Sequence, residues 1–198
     1  AAGTMQIPTW KDELYFEYHR GVYTTQADHK RYMRESEEAL LDAEKYASLA
    51  WLTGIKYPSA DFEDSWKKVT FNQFHDLAAG SGIGVIYRDA AEDYKHVFQQ
   101  TRDADSASMP SLMASIDTRG LGVPVVVFNP LAWQRSNTVT VHVQMPEAAP
   151  QGIHLEDAKG NTLLSQLLLT DAKTNSFTLL VRAQDVPSLG YTVLRAVA

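Results

Sequence analysis

From residue 26 to residue 52, apolar side chains recur at three- and four-residue steps. Ala39, Leu40, Ala43, Tyr46, Ala47, Ala50 and Trp51 form one stripe, and the spacing predicts an amphipathic helix. Thr24 or Thr25 can cap its start, and Gly54 stands where helices commonly end on a left-handed residue. Glu37, Glu38, Asp42 and Glu44 fall mainly on the other face, as a solvated surface. Ser59 or Asp61 can cap a second run, in which Phe62, Trp66, Val69, Gln73 and Leu77 keep helical spacing. That run carries His75 and Asp76 at its last turn, and Gly80, Gly82 and Gly84 break it. A third begins near residues 83–85 with Ile86, Ala90, Tyr94, Val97 and Phe98 on one face; it is expected to stop near residues 102–106 and to restart at Pro110. Three such helices with short connections bury their stripes best as an antiparallel bundle.

At Gly120 the period changes. Residues 123–129 read as a strand, with Pro124 at its start or on a sheet edge. Val139, Val141 and Val143 alternate with Thr140 and His142 across residues 137–145, and further strands are expected at 152–156, 162–169, 177–183 and 190–197. Frequent turns between short strands predict a sandwich-type module. The expected class is therefore α+β and multidomain, with a helical bundle over residues 1–119 and a β module over 120–198.

Composition narrows the chemistry. With 198 residues, 44% apolar and 21% charged, the chain can bury a full core. A net charge of −6 gives no footprint for nucleic acid, and no apolar run is long enough to span a membrane. Cysteine is absent, so only His, Asp and Glu remain as plausible metal ligands. That absence fits a reducing compartment such as the cytoplasm, although exported bacterial proteins share it. Ala1-Ala2-Gly3-Thr4 has neither the basic start nor the apolar core of a signal peptide, and reads as a cut edge.

None of the compact catalytic motifs occurs, and Gly80-Ser81-Gly82-Ile83-Gly84 lacks the lysine and preceding strand of a phosphate loop, so it reads as a turn between helices. Among His19, His29, His75, His96, His142 and His154, His75 stands out because a helix end can aim it out of the scaffold beside an acid. Successive helical residues point about 100° apart, so Asp76 can serve the His75 ring only where the helix ends. Residues 10–25 interleave aromatic rings with His19 and Arg20, a composition that suits either a sugar-stacking wall or an arm packing its rings on a helix.

Three stretches resemble glycoside hydrolase family 38, the retaining α-mannosidases. Glu17-Tyr18-His19-Arg20-Gly21-Val22-Tyr23-Thr24-Thr25-Gln26 resembles that family's Glu-Tyr-His-Arg-Gly-Thr-Tyr-Thr-Ser-Gln. Asn72-Gln73-Phe74-His75-Asp76, followed by Gly80-Ser81, is similar to its Asn-Gln-Phe-His-Asp stretch, with Leu77-Ala78-Ala79 in place of Ile-Leu-Pro. Phe128-Asn129-Pro130-Leu131-Ala132-Trp133 is similar to the entry of its β-rich region. The resemblance implies a middle domain and the start of a β region, with the N-terminal α/β catalytic domain outside this chain. It implies one divalent metal, generally zinc, with His75 as the one ligand this chain supplies. Asp76, His19, Arg20, Tyr23 and Thr24 would lie near metal or substrate, and the nucleophile and acid/base would come from elsewhere. The implied substrate is an α-mannoside or oligosaccharide, and the segment alone is expected to be inactive. Two other classes fit the residues: a carbohydrate-binding module using Trp10, Tyr15, Tyr18 and Tyr23, and a structural interaction domain docking through its aromatic arm.

Overall fold

The computed structural model describes residues 6–13, 20–146 and 152–198. Helices come first and strands follow: α1 Ala27–Trp51, α2 Ser59–Asn72, α3 His75–Ala79, α4 Gly84–Ala114, β1 Val123–Asn129, β2 Arg135–Gln144, β3 His154–Glu156, β4 Ser165–Asp171, β5 Ser176–Val186 and β6 Gly190–Val197. The α+β class read from the sequence is the observed one. By contact density the chain forms two compact units, Ala1–Leu40 with Ser59–Thr101, and Leu41–Pro58 with Arg102–Ala198.

The first unit is helical. Phe62, Ser65, Val69 and Asn72 are buried along one side of α2, and Ala90, Tyr94, Val97 and Thr101 along one side of α4. Each fully buried Leu40, Val69 or Val97 side chain contributes about 1.5–3 kcal/mol relative to exposure. The small polar members of these stripes are partnered: the Ser65 hydroxyl bonds Gln100 Oε1 through a short contact. Tyr32 meets the rings of Tyr94 and Phe98 at 5.9 and 6.2 Å between centroids, which joins α1 to α4.

The second unit holds two three-stranded antiparallel sheets, ordered β1-β6-β3 and β2-β5-β4. Val141, Val143 and Met145 from β2 and its end, Phe177, Leu179 and Val181 from β5, Leu155 from β3, and Leu194 and Ala196 from β6 make one buried cluster. Alternate residues of both sheets thus face a shared core, as in a sandwich. Pro124 lies on β1, an edge strand, the place in a sheet where proline is tolerated. Asn129 is buried at the end of β1; its amide donates to the carbonyls of Trp133 and Pro187 at 2.8 and 2.9 Å, and its Oδ1 accepts from Leu131 N at 3.1 Å. The Asn-Pro-Leu stretch is therefore a structural clasp.

Three expectations need correction. The second helix does not run on to His75: it ends at Asn72, and His75 opens a separate short helix. The third helix does not stop at residues 102–106 and restart at Pro110, because α4 is continuous from Gly84 to Ala114 with Pro110 inside it. Its buried positions Val97, Thr101, Ala104 and Ser108 continue at three- and four-residue steps, while Pro110 is exposed. Packing on that stripe outweighs one lost backbone bond. The strand expected at 162–169 begins later, at Ser165, since Thr162 forms an isolated bridge to Glu156 instead.

Candidate functional site

The site lies in the first unit and is built by the way α2 stops. In a continuing helix the Asn72 carbonyl would accept the N–H of residue 76. Here it accepts Nε2–H of buried His29 at 3.0 Å, and that acceptor fixes the proton on Nε2. Burial lowers the His29 pKa below the usual imidazole value, against the opposing pull of the Asn72 carbonyl, and the nearby Lys30 charge lowers it further. The last bonds of the helix tighten to three-residue spacing, Gln73 N to Thr70 O and Phe74 N to Phe71 O at 3.3 and 3.2 Å. Phe74 then turns extended, φ −52° and ψ 141°, and its carbonyl starts α3 by accepting Ala78 N at 2.9 Å.

Side chains of the motif divide the work. Asn72 is buried and donates to Lys68 O at 2.9 Å and Asp93 Oδ2 at 3.0 Å, while Lys68 Nζ approaches Asp93 Oδ1 at 3.2 Å. Gln73 Nε2 donates to Glu37 through a short bond. These two anchor the loop from beneath, and the next three residues face out. The His75 side chain is 78% exposed, with Nε2 at 3.5 Å from Asp76 Oδ1, and its ring lies 4.2 Å from that of Phe74. His75 and Asp76 are the first two residues of α3, so they meet at a helix start rather than at the helix end expected from the sequence.

Sequence reading missed Tyr87. Its hydroxyl donates to Asp76 O at 3.2 Å and accepts from Gly82 N at 3.1 Å, clamping the loop that carries His75. The ring packs edge-on against His29 at 5.5 Å, so the residue that takes the Asn72 carbonyl and the residue that clamps Asp76 support one another. A tyrosine one turn into a helix has no local signal for such a role. Gly80 is required twice over: its φ is +82°, and a Cβ there would meet Thr25 Cγ2 at 2.2 Å. That contact puts the segment before α1 against the end of α3.

Of the other expected site residues, Thr24 sits in a turn, with its Oγ1 donating to Gly21 O at 3.2 Å, and Arg20 and Tyr23 are exposed, Tyr23 by 80%. His19, Tyr15 and Tyr18 lie outside the described residues. Trp10 is exposed, and its indole N–H donates to Glu13 O at 2.9 Å. Among the described residues, no three His, Asp or Glu side chains converge as a metal cage, and no helix is long and apolar enough to cross a membrane.

The second unit has a pocket of about 350 Å³ lined by Tyr46, Phe128 and Tyr191 among others. Burial, with Asp42 and Asp105 nearby, pushes the Tyr46 phenol up to about 12, so the pocket keeps a neutral hydroxyl.

Comparison with known proteins bears on the first unit and beyond. The profile of the alpha mannosidase middle domain matches residues 17–112. An α-mannosidase of Saccharomyces cerevisiae is 44% identical over 93 residues, which is 46% of this chain and 9% of the yeast protein. Alpha-mannosidase 2C1 of Mus musculus is 34% identical over 139 residues, covering 69% of this chain and 13% of that protein. A glycosyl hydrolase family 38 protein from Enterococcus faecalis shares the fold, with a TM-score of 0.75 at 16% identity over 90% of this chain and 25% of its own. The chain spans about a tenth of the length of the curated relatives it matches.

Proposed function

We propose that this chain, whose residues 17–112 match the alpha mannosidase middle domain, is a segment of a glycoside hydrolase family 38 α-mannosidase, and that the whole polypeptide hydrolyses terminal α-mannosides with retention, using a divalent metal. The observation that carries the site assignment is the exposed His75, held beside Asp76 on a loop anchored from below by Asn72, Gln73 and Tyr87.

A catalytic zinc takes about three protein ligands. His75 and Asp76 fall short of that number, and nothing else among the described residues joins them. The fit is therefore partial: His75 supplies one imidazole, Asp76 orients it or meets substrate, and the remaining ligands come from polypeptide outside this segment. When bound, the metal would grip sugar hydroxyls and stabilise developing charge. The work of this chain is presentation. Its helices hold the imidazole outward, where a second domain can close over it. Retention also needs two carboxyl groups about 5–5.5 Å apart, and no pair in this segment is assigned that role. Arg20, Tyr23 and Thr24 are placed on the substrate side of this reading, with His19.

The test uses the full-length enzyme. His75→Ala is expected to lose most of its zinc by elemental analysis and to lower kcat by at least ~100-fold, on the scale of losing a metal ligand or its orienting partner, with unfolding unchanged. A variant that keeps full zinc and full turnover removes His75 from the site. The isolated 198-residue chain is expected to show no turnover.

A further inference from the structure

A sheet edge left bare invites another strand, and proteins blunt such edges with proline, charge, brevity or cover. The two sheets of the second unit have four edges, and three are blunted. β1 carries Pro124. β3 is three residues long, and the returning chain covers it: Leu163 N donates to Leu155 O at 2.7 Å and Thr162 bridges Glu156. β2 exposes Ser136, Asn137, Thr138, Thr140, His142 and Gln144, and its register shifts between Arg135 and Asn137.

β4 is the least protected: its ladder shifts at Leu168 and Asp171 closes the strand, but its body carries leucines where β2 carries polar side chains. From Asn161 to Thr170 there is neither a charged residue nor a proline. Every residue from Gln166 to Asp171 is exposed, and Leu164, Leu167, Leu168 and Leu169 are 75%, 47%, 50% and 64% exposed. The leucines lie on both faces. Leu167 pairs with buried Leu179 on the core side, the ladder shifts at Leu168, and Leu169 pairs with Thr178 on the opposite side. Leaving such apolar surface wet is costly, and an in-plane strand alone would not cover both faces.

We propose that β4 is an interior strand in the complete protein, paired along its free edge by a strand of the same polypeptide from beyond this segment, with apolar residues covering both of its faces. The premise that such polypeptide exists rests on the α-mannosidase reading, since this chain spans 9% and 13% of its curated relatives. A second copy of the chain is the weaker occupant, because edge-to-edge self-pairing leaves the leucines uncovered on either face.

Hydrogen exchange on the full-length protein, read by mass spectrometry over residues 165–171, tests this. The β4 amides are expected to exchange at least ~100-fold more slowly than those of the 171–175 turn, at a rate independent of protein concentration. A photo-crosslinking residue in place of Leu168 is expected to link within one polypeptide, to a position outside this segment. Exchange as fast as the turn overturns the proposal. So does protection that appears only as concentration rises, or a crosslink joining two molecules, which would assign the edge to a second copy. Mannoside hydrolysis measured on the same preparation is independent of these readouts: active enzyme with a fast-exchanging β4 sinks the pairing alone, and a protected β4 without turnover sinks the catalytic reading alone.

Discussion

Two helices in this protein have a gap in their hydrogen-bond ladder, and the gaps have opposite outcomes. At Pro110 the ladder of α4 lacks a donor and the helix continues; at Asn72 the carbonyl of α2 bonds a side chain instead of the next turn and the helix ends. A missing N–H leaves a carbonyl that water can satisfy when the turn is exposed, as Pro110 is. Ala104 and Ser108 are buried before the proline, and Ser111 and Leu112 are half-buried after it. The Asn72 carbonyl is engaged by His29 rather than by residue 76, and Phe74, His75 and Asp76 are all exposed. The re-aimed chain after Asn72 is what turns His75 outward.

The comparison can be broken first at Asn72. Asn72→Ala removes two donor bonds and takes one partner from the part-buried Asp93, which keeps Lys68, so a loss of about 2–3 kcal/mol is expected in urea unfolding. A loss below ~0.5 kcal/mol would mean the His29 bond alone maintains the break. Next comes Tyr87→Phe, which deletes the clamp on Asp76 O and Gly82 N while keeping the ring against His29. The expected cost is about 1 kcal/mol, with weaker zinc retention in the full-length enzyme; unchanged stability and zinc would make the clamp incidental. The smallest effect belongs to Pro110→Ala. It restores one backbone donor but frees the unfolded chain, and the net change should stay within ~1 kcal/mol. A larger destabilisation would show that the proline itself shapes α4.

Local pattern was enough for much of this. The alternation of Val139, Val141 and Val143 marked β2, and Pro124 marked an edge, because strand period and proline chemistry act within a few residues. The spacing of Ala90, Tyr94 and Val97 located the buried side of α4. The stop after Asn72 was invisible because the residue that takes its carbonyl, His29, lies 43 residues away. The outward aim of His75 beside Asp76 was open to sequence reading, but the support from Tyr87 and the Thr25 approach that demands Gly80 were not. Both depend on contacts across the chain. The bare edge of β4 is likewise a property of sheet order, which composition does not encode.

Both compact units are assembled from two separate stretches of chain, and this bears on synthesis. The helical unit has all its parts once residue 101 has emerged from the ribosome. Residues 41–58, made well before that, belong to the unit whose final strand, β6, is not translated until residues 190–197. The back half of α1 must therefore wait for the end of α4, where Ser111 meets Thr53, and for β1, where Phe128 meets Tyr46, its apolar side available meanwhile to whatever chaperone is near. Slow elongation just after residue 101 would lengthen that wait while leaving the helical unit untouched.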